Sequence, residues 1–174
     1  MDKEKFPPRL AREAIRVYLR EKREISPPTE FPKEFQKKAG VFVSLHKRGR
    51  LRGCIGTYLP TKENVVYEII KNAISAATQD PRFPPMEKDE LRDVDISVDI
   101  LSQPEQIYSE DDLNPKKYGV IVSKGWRKGL LLPDLEGVDT VERQIEIAKQ
   151  KAGLWEISNR DLEIQRFTVT RYKE

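Results

Sequence analysis

The pattern of hydrophobic and polar residues changes several times along the chain, and each pattern predicts a different element. In residues 9–22, apolar side chains recur every three or four positions, which predicts an amphipathic helix. Residues 40–59 contain two β-branched, apolar runs on either side of a basic tip at residues 47–50, which predicts a β-hairpin. The first part of the chain is therefore expected to form a helix and then a hairpin.

A second helix is predicted after this hairpin, with Thr61 as its N-cap. Residues 94–100 then alternate between apolar and polar side chains, which is typical of a half-buried strand in an antiparallel sheet. The second helix is indicated by a continuous apolar stripe that consists of Val66, Ile69, Ile70, Ala73, Ile74 and Ala77.

The C-terminal part follows the same order of hairpin, helix and strand. A second hairpin is predicted with its tip at residues 124–129. The third helix is predicted to begin with Asp139 and Glu142 as a capping box and to end at Gly153. In the last strand the spacing of apolar residues shifts, which predicts a β-bulge near Gln165.

This order of elements favours an α+β fold, with antiparallel sheets flanked by helices, over a doubly wound parallel sheet. Two successive hairpin–helix units also suggest a structural repeat, although the two units share no sequence period. The length of 174 residues suits one domain, or one domain with two lobes.

The composition argues against several classes of protein, among them membrane, secreted and zinc-binding proteins. Hydrophobic residues make up 37% of the chain and charged residues 35%, so a core is expected beneath a highly charged surface. The net charge of +3 is compatible with nucleic-acid binding but is weak evidence for it. No apolar stretch reaches about 18 residues, no secretory signal is recognisable, and a single cysteine forms no internal disulfide, so a cytoplasmic protein is expected. One Cys and one His exclude a zinc site of four such ligands, and no metal or organic cofactor is indicated.

Cys54 is the first candidate for chemistry, because it stands between two glycines in the stretch LRGCIG. Glycine within a strand often marks a place where a ligand or another backbone approaches closely, so Gly53 and Gly56 are interpreted as clearing space around the thiol. Arg52 would favour a thiolate if its side chain converges on the sulfur. The alternative is packing, since free cysteine is among the most buried residue types.

His46 is the only imidazole available as a base for Cys54. A two-residue hairpin turn would place Cys54 opposite Val43, with His46 on the other face of the sheet. A three-residue turn would pair Cys54 with Ser44 and leave His46 about 7 Å away on the diagonal. Neither register predicts a Cys–His dyad.

A second candidate is the stretch DPRF, which follows the second helix. Asp80 is predicted to act as an acid or base, or to orient Arg82, and Arg82 to hold an anion. The alternative is a helix stop with a local ion pair and Phe83 as a core residue. Glu90 is interpreted as a surface or capping residue.

The two hairpin tips carry the remaining candidates. Lys47, Arg48 and Arg50 would contact phosphates in a nucleic-acid-binding protein, although such a charge run is usually only solvated. At the second tip, Trp126 lies among basic residues, which suits either a partner contact or a turn residue folded onto the core.

The stretches LRGCIG, DPRF, GLLLP and KAGL occur in an order that resembles the AMMECR-one domain family. The resemblance extends from about residue 40 to the C-terminus. It implies a single α+β domain over residues 1–174 with two unequal lobes, in which the larger lobe contains both termini. It also implies that Cys54 lies near a cleft between the lobes. The motif positions that carry over are Leu51, Arg52, Gly53, Cys54, Ile55, Gly56, Asp80, Arg82 and Phe83.

The chain departs from the family pattern at Tyr118, where relatives often have a histidine, and in the stretch LLPDLEG. A histidine-assisted reaction therefore does not transfer to this chain. The activity of the family is unsettled, and its association with Memo-like and radical-SAM proteins implies such a partner.

Two hypotheses follow. In the first, the protein binds or modifies a small anionic or carbonyl-bearing molecule, and whether it is an enzyme is left open. Its catalytic residues are then Cys54 and Asp80, and its substrate-binding residues are Arg52, Gly53, Gly56 and Arg82. In the second, it is a non-catalytic nucleic-acid-binding or adaptor module that uses Lys47, Arg48 and Arg50.

Overall fold

The computed structural model describes residues 2–174, which form an α+β structure with two four-stranded antiparallel sheets. The α-helices are α1 (Phe6–Glu21), α2 (Val65–Thr78) and α3 (Val141–Ala152). The strands are β1 (Val41–Lys47), β2 (Arg50–Thr57), β3 (Val94–Leu101), β4 (Glu105–Gln106), β5 (Gly119–Lys124), β6 (Arg127–Leu131), β7 (Glu163–Phe167) and β8 (Val169–Lys173). Short 3-10 turns lie at Lys33–Phe35, Lys88–Asp93, Glu110–Asp112 and Asn159–Asp161.

The chain divides into two compact units, each with its own sheet and core. Unit 1 consists of the chain up to Leu101 together with Thr170–Glu174, and its strand order is β2-β1-β3-β8. Unit 2 is Ser102–Val169, with strand order β4-β7-β5-β6. Among the residues that the structure describes, no helix combines the length and apolar character needed to cross a membrane.

In unit 1, α1 and α2 cover one face of the sheet, and the whole apolar stripe predicted for α2 is buried. The N-cap of α2 is Asn64, whose side-chain oxygen accepts the N–H groups of Val66 and Tyr67. The prediction of Thr61 as N-cap is wrong, because its backbone N–H and hydroxyl instead donate to the buried carboxylate of Glu68.

In unit 2, α3 packs on β5 and β6. Its N-cap is Thr140, whose hydroxyl accepts the N–H of Arg143. The predicted capping box of Asp139 and Glu142 is therefore wrong, because the N-cap is one residue later and the third helical residue is then Arg143, which cannot complete a capping box. Gly153 ends the helix with φ of +66°, as predicted, because a left-handed residue at this position suits glycine.

The last segment of the chain forms two strands in two different sheets. β7 belongs to unit 2, and after Thr168 the chain enters β8, which pairs with β3 in unit 1. Gln165 pairs regularly with Gln106 on one side and Ile121 on the other, so the predicted β-bulge is wrong. The apolar spacing shifts because the two halves of the segment face two separate cores.

Both sheets use the same arrangement of a hairpin, a helix and a third strand. The orders β2-β1-β3 and β6-β5-β7 are equivalent, and in each unit the third strand lies beside the first strand of the hairpin. Gly53 and Gly129 take corresponding places under α2 and α3, where a Cβ atom would overlap the carbonyl oxygens of Ala76 and Ala148. The two units therefore correspond in structure without a shared sequence period.

Candidate functional site

The hairpin that carries Cys54 has a two-residue turn followed by a bulge. Arg48 and Gly49 form the turn with φ of +51° and +74°. The pairing then passes from Leu51 directly to Gly53, so Arg52 is an extra residue in β2. As a result Cys54 lies opposite Ser44. The two-residue turn was expected together with a Cys54–Val43 pair, and the Cys54–Ser44 pair together with a three-residue turn. The bulge at Arg52 combines the first turn with the second pairing.

The thiol of Cys54 is partly buried and has a hydroxyl, not an imidazole, as its hydrogen-bond partner. Ser44 Oγ donates to Cys54 Sγ at 3.2 Å. Burial raises the pKa of the thiol above its ordinary value. The Ser44 hydrogen bond and the charge of Arg82 lower this pKa, and the carboxylates of Asp99 and Asp80 raise it. Cys54 is therefore a protonated thiol at neutral pH, and Arg52 does not make it a thiolate.

Asp80 is a buried carboxylate that holds two parts of the site together. Its Oδ2 accepts the backbone N–H of Cys54 at 2.9 Å. Its two oxygens also accept Nε and Nη2 of Arg82, at 3.0 and 2.7 Å. These bonds hold the pKa of Asp80 well below its usual range, with the Arg82 side chain as the largest cause. Because the carboxylate stays ionised, the geometry supports an orienting role and not proton transfer.

The same ion pair covers an exposed sheet edge. β2 is the edge strand of its sheet, so the outward N–H and C=O groups of Cys54 lack a neighbouring strand. Asp80 accepts the N–H, and Arg82 Nη2 donates to the C=O at 3.4 Å. The carboxylate and guanidinium thus replace a missing strand at the cysteine.

Arg82 is held in place but is still open to solvent. Its side chain is 55% exposed, whereas that of Asp80 is 2% exposed. The guanidinium also lies 5.5 Å from the centroid of the Phe83 ring, a cation–π distance. A ligand can therefore reach a fixed positive charge that lies against the backbone of Cys54.

Arg52 forms an ion pair with Glu90, which lies in the 3-10 turn Lys88–Asp93. Its Nε and Nη2 donate to the two Glu90 oxygens at 2.8 and 2.9 Å, and Lys47 Nζ donates to Oε1 at 3.0 Å. These partners, Arg52 foremost, lower the pKa of Glu90 to about 2. Glu90 therefore pairs with both Arg52 and Lys47, and the predicted substrate role of Arg52 is not supported.

Gly53 and Gly56 do not leave open space beside the thiol. A Cβ atom on Gly53 would overlap the carbonyl oxygen of Ala76 in α2, and one on Gly56 would overlap the ring of Phe42. Both glycines permit close packing of the protein against itself, so their assignment as substrate-binding residues is not supported.

Three polar residues of this region were missed or misjudged in the sequence. In the sequence, Ser44 is only one of two possible partners of Cys54, and Glu90 is predicted to be a surface or capping residue. Asp99 lies on β3 and is buried, and its carboxylate accepts Nε and Nη2 of Arg171 at 2.7 and 2.8 Å. The alternation of residues 94–100 places Asp99 on the polar face of the strand. This pattern does not show that the Asp99 side chain is buried.

The basic hairpin tip borders a groove of about 450 Å³ that is lined by Lys47, Arg48, Arg50, Leu51 and Arg52. Because Lys47 and Arg52 both pair with Glu90, only Arg48 and Arg50 of these basic residues have no carboxylate partner among the residues described. Within residues 2–174, no three His, Cys, Asp or Glu side chains are grouped so as to hold a metal ion.

Comparison with known proteins shows relatives along nearly the whole chain. A protein of Thermotoga maritima is 62% identical over 165 residues, which cover 92% of this chain and 94% of that protein. Protein CA_C1420 of Clostridium acetobutylicum is 52% identical over 168 residues, and the match covers 95% of this chain but 35% of that protein.

A solved structure has the same fold. The crystal structure of the uncharacterized protein PH0010 from Pyrococcus horikoshii matches with a TM-score of 0.90 and 36% sequence identity, over 97% of this chain and 90% of that one. The sequence profile of the AMMECR1 family matches residues 8–172. With this match and these relatives, the chain is a member of the AMMECR1 family.

Proposed function

We propose that this protein binds or modifies a small anionic or carbonyl-bearing molecule at Cys54, with Arg82 as the group that recognises it. The proposal rests on one observation, the guanidinium of Arg82 held against the backbone of Cys54 by the buried carboxylate of Asp80, with Nη2 donating to the Cys54 carbonyl oxygen at 3.4 Å. A preorganised positive charge next to a nucleophile attracts negative charge on a ligand and stabilises negative charge that develops during a reaction.

A carbonyl-bearing ligand would react with the thiol by addition. The sulfur forms a bond to the carbonyl carbon, the C=O double bond becomes a single bond, and the proton of the thiol moves to the oxygen. Arg82 would stabilise the negative charge on that oxygen as it develops. Asp80 is then a positioning residue, since its pKa lies too far below neutral for it to exchange protons.

We also propose a cytoplasmic location and a partner protein for this site. A single thiol suits the reducing cytoplasm. A pathway shared with Memo-like or radical-SAM proteins, which the family resemblance implies, would supply the ligand. The alternative of a nucleic-acid or adaptor module at Lys47, Arg48 and Arg50 has less support, because Lys47 already donates to Glu90.

Two alkylating reagents of different charge test the role of Arg82. Iodoacetate is an anion and iodoacetamide is neutral, and Cys54 is the only cysteine, so intact mass gives both rates without ambiguity. We expect the ratio of the iodoacetate rate to the iodoacetamide rate to exceed that of free cysteine by about fivefold. Arg82→Gln should abolish this excess, whereas Arg82→Lys should retain most of it.

Arg16→Gln is the matched control, because Arg16 is also a half-exposed arginine paired with a carboxylate, Glu13, but it lies on α1. Taking the ratio within one variant removes changes in the exposure of the sulfur. A ratio equal to that of free cysteine in the wild type, or a ratio unchanged by Arg82→Gln, would contradict the proposal.

A further inference from the structure

The three most exposed aromatic side chains of the chain all belong to unit 2. Tyr108 is 95% exposed, Trp126 is 92% exposed and Trp155 is 64% exposed. Tryptophan is usually well buried on average, so two solvated indoles in one small unit require an explanation. These residues lie far from Cys54 in sequence and play no part in the proposed function.

Trp126 and Trp155 lie at the same end of unit 2. Trp126 is in the two-residue turn between β5 and β6. The next residue, Arg127, donates from Nη1 to the carbonyl oxygen of Gly153 at 2.8 Å, which brings the C-terminus of α3 to this turn. Trp155 follows Gly153 by two residues, so both indoles project from the hairpin-tip end of the unit.

Tyr108 lies at this end as well. It follows β4, where the N–H of Ile107 donates to the carbonyl oxygen of Ile164 in β7. One residue further towards the tip, Glu163 of β7 pairs with Ser123 of β5. Tyr108 is therefore level with the last residues of β5 before the turn. We call Tyr108, Trp126 and Trp155 the aromatic end.

Acidic and basic side chains occur in similar numbers around the aromatic end, and two of the cations there are unpaired. The carboxylates are Glu110, Asp111 and Asp112 of the 3-10 turn that follows Tyr108, together with Glu156, Asp161 and Glu163. Lys124 and Arg160 form no ion pair with any residue that the structure describes. The basic residues at this end are Lys124, Arg127, Lys128, Lys149, Lys151 and Arg160.

The spacing of the rings favours a flexible strand over a folded protein as the occupant. β4 and β5 are separated by one strand, so Tyr108 and Trp126 stand about 10 Å apart or more. Polar residues lie between the rings, whereas the centre of a protein interface is contiguous and depleted of charge. Beside Tyr108, a groove of about 370 Å³ is also lined by Arg160, by Asn159 and by Glu110, whose carboxylate accepts the Asn159 amide at 2.8 Å.

We propose that the aromatic end binds single-stranded nucleic acid. Bases stack on the rings of Tyr108, Trp126 and Trp155, and Lys124 and Arg160 contact the phosphates. Aromatic platforms combined with unpaired cations are the features by which proteins bind single strands without reading sequence. This site lies in unit 2 and is independent of the Cys54 site in unit 1.

Intrinsic fluorescence tests the proposal directly, since the only two tryptophans of the chain both belong to the aromatic end. The intact protein is titrated with an oligothymidylate of about ten nucleotides at ~50 mM salt, and stacking is expected to quench the emission. Trp126→Ala, Trp155→Ala and Tyr108→Ala should each weaken binding about tenfold, as measured by competition or anisotropy.

Two control variants accompany these measurements. Tyr67→Ala removes a 38% exposed tyrosine from α2 in unit 1 and should bind the strand like the wild type. Cys54→Ala should also bind normally, which separates this proposal from the function proposed for Cys54.

Three results would overturn the proposal. The first is no quenching and no binding of oligothymidylate or oligouridylate at low salt. The second is equal quenching by an oligoglutamate of the same charge, which would show charge attraction alone. The third is equal weakening by Tyr67→Ala and by the aromatic-end variants, which would leave these rings to a protein partner or to no partner.

Discussion

At the scale of single residues, Asp80 explains why Cys54 and Arg82 lie together. One carboxylate accepts hydrogen bonds from the backbone N–H of Cys54 and from Nε and Nη2 of Arg82. The side chain is 2% exposed, and a buried carboxylate requires such partners to remain charged. The Asp80–Arg82 pair therefore stabilises the strand edge and positions a charge at the thiol at the same time.

Ser44 is predicted to keep the Cys54 thiol more acidic than burial alone would. Its hydroxyl donates to the sulfur, and this bond lowers the pKa that burial raises. Ser44→Ala should therefore move the pH midpoint of iodoacetamide alkylation upwards, from a wild-type midpoint that already lies above that of an ordinary thiol. Ser97→Ala, which changes the residue opposite Ser44 on β3, is the control and should leave the midpoint unchanged. A midpoint that falls or stays constant in Ser44→Ala would refute this role.

Glu90 is predicted to make unit 1 sensitive to acid. Its pKa is lowered from 4.5 to about 2, so its contribution to stability is complete above pH 4.5 and is lost as the pH falls through about 2. Glu90→Gln should reduce the free energy of unfolding by about 2 kcal/mol near neutral pH, measured by urea denaturation. The difference between wild type and variant should shrink as the pH falls through that window.

The control for Glu90 is Glu13→Gln, since Glu13 pairs with Arg16 on the surface of α1 and its side chain is 48% exposed. A surface pair of this kind contributes less than about 1 kcal/mol. If Glu90→Gln costs no more than Glu13→Gln, the Arg52–Glu90–Lys47 group is only a surface feature.

At the scale of elements, the approach of each helix to its hairpin depends on one glycine. Gly53 lies beneath Ala76 of α2, and Gly129 lies beneath Ala148 of α3. Any side chain at these positions would push the helix away from the sheet and open the core.

Gly53→Ala and Gly129→Ala are predicted to destabilise the protein by about 2–3 kcal/mol each. Gly49→Ala is the comparison, because Gly49 has open space around it but a φ of +74°, and a left-handed alanine costs about 1–2 kcal/mol. Denaturant unfolding of the three variants measures this order. A Gly53→Ala variant as stable as wild type would show that α2 can move without cost.

The elements themselves were largely predictable, whereas their ends and registers were not. The stripe of α2 and the strand β3 follow from helical and strand periodicity, and both are confirmed, although the alternation of burial in β3 ends at the buried Asp99. The N-caps are Asn64 and Thr140 and not the predicted residues. More than one residue that can cap precedes each helix, and tertiary contacts select one of them. The bulge at Arg52 has no periodic signal, since one extra residue only changes the pairing.

At the scale of the whole molecule, the C-terminal strand belongs to the unit that begins the chain. β8 pairs with β3, and Tyr172 packs edge-on against Phe35 with ring centroids 5.7 Å apart. The sheet of unit 1 is therefore complete only when the last residues of the chain are in place.

Tyr172→Ala is predicted to reduce the free energy of unfolding by about 3 kcal/mol or more, because it removes a ring from the core of unit 1. Tyr108→Ala is the control, since that ring is 95% exposed and its loss should change stability by less than about 0.5 kcal/mol. Chemical denaturation measures both. Equal effects would mean that β8 is not part of the core.

The sequence by itself determined the α+β class, the order of hairpins and helices, and the family. These properties depend on local periodicity, turn residues and short motifs, which are visible along the chain. Only the tertiary structure decided that Asp80 accepts the backbone N–H of Cys54, that Glu90 pairs with Arg52, and that the glycines beside Cys54 serve packing. Each of these depends on which distant groups share a buried space, and local sequence patterns do not specify contacts between residues 26 or 38 positions apart.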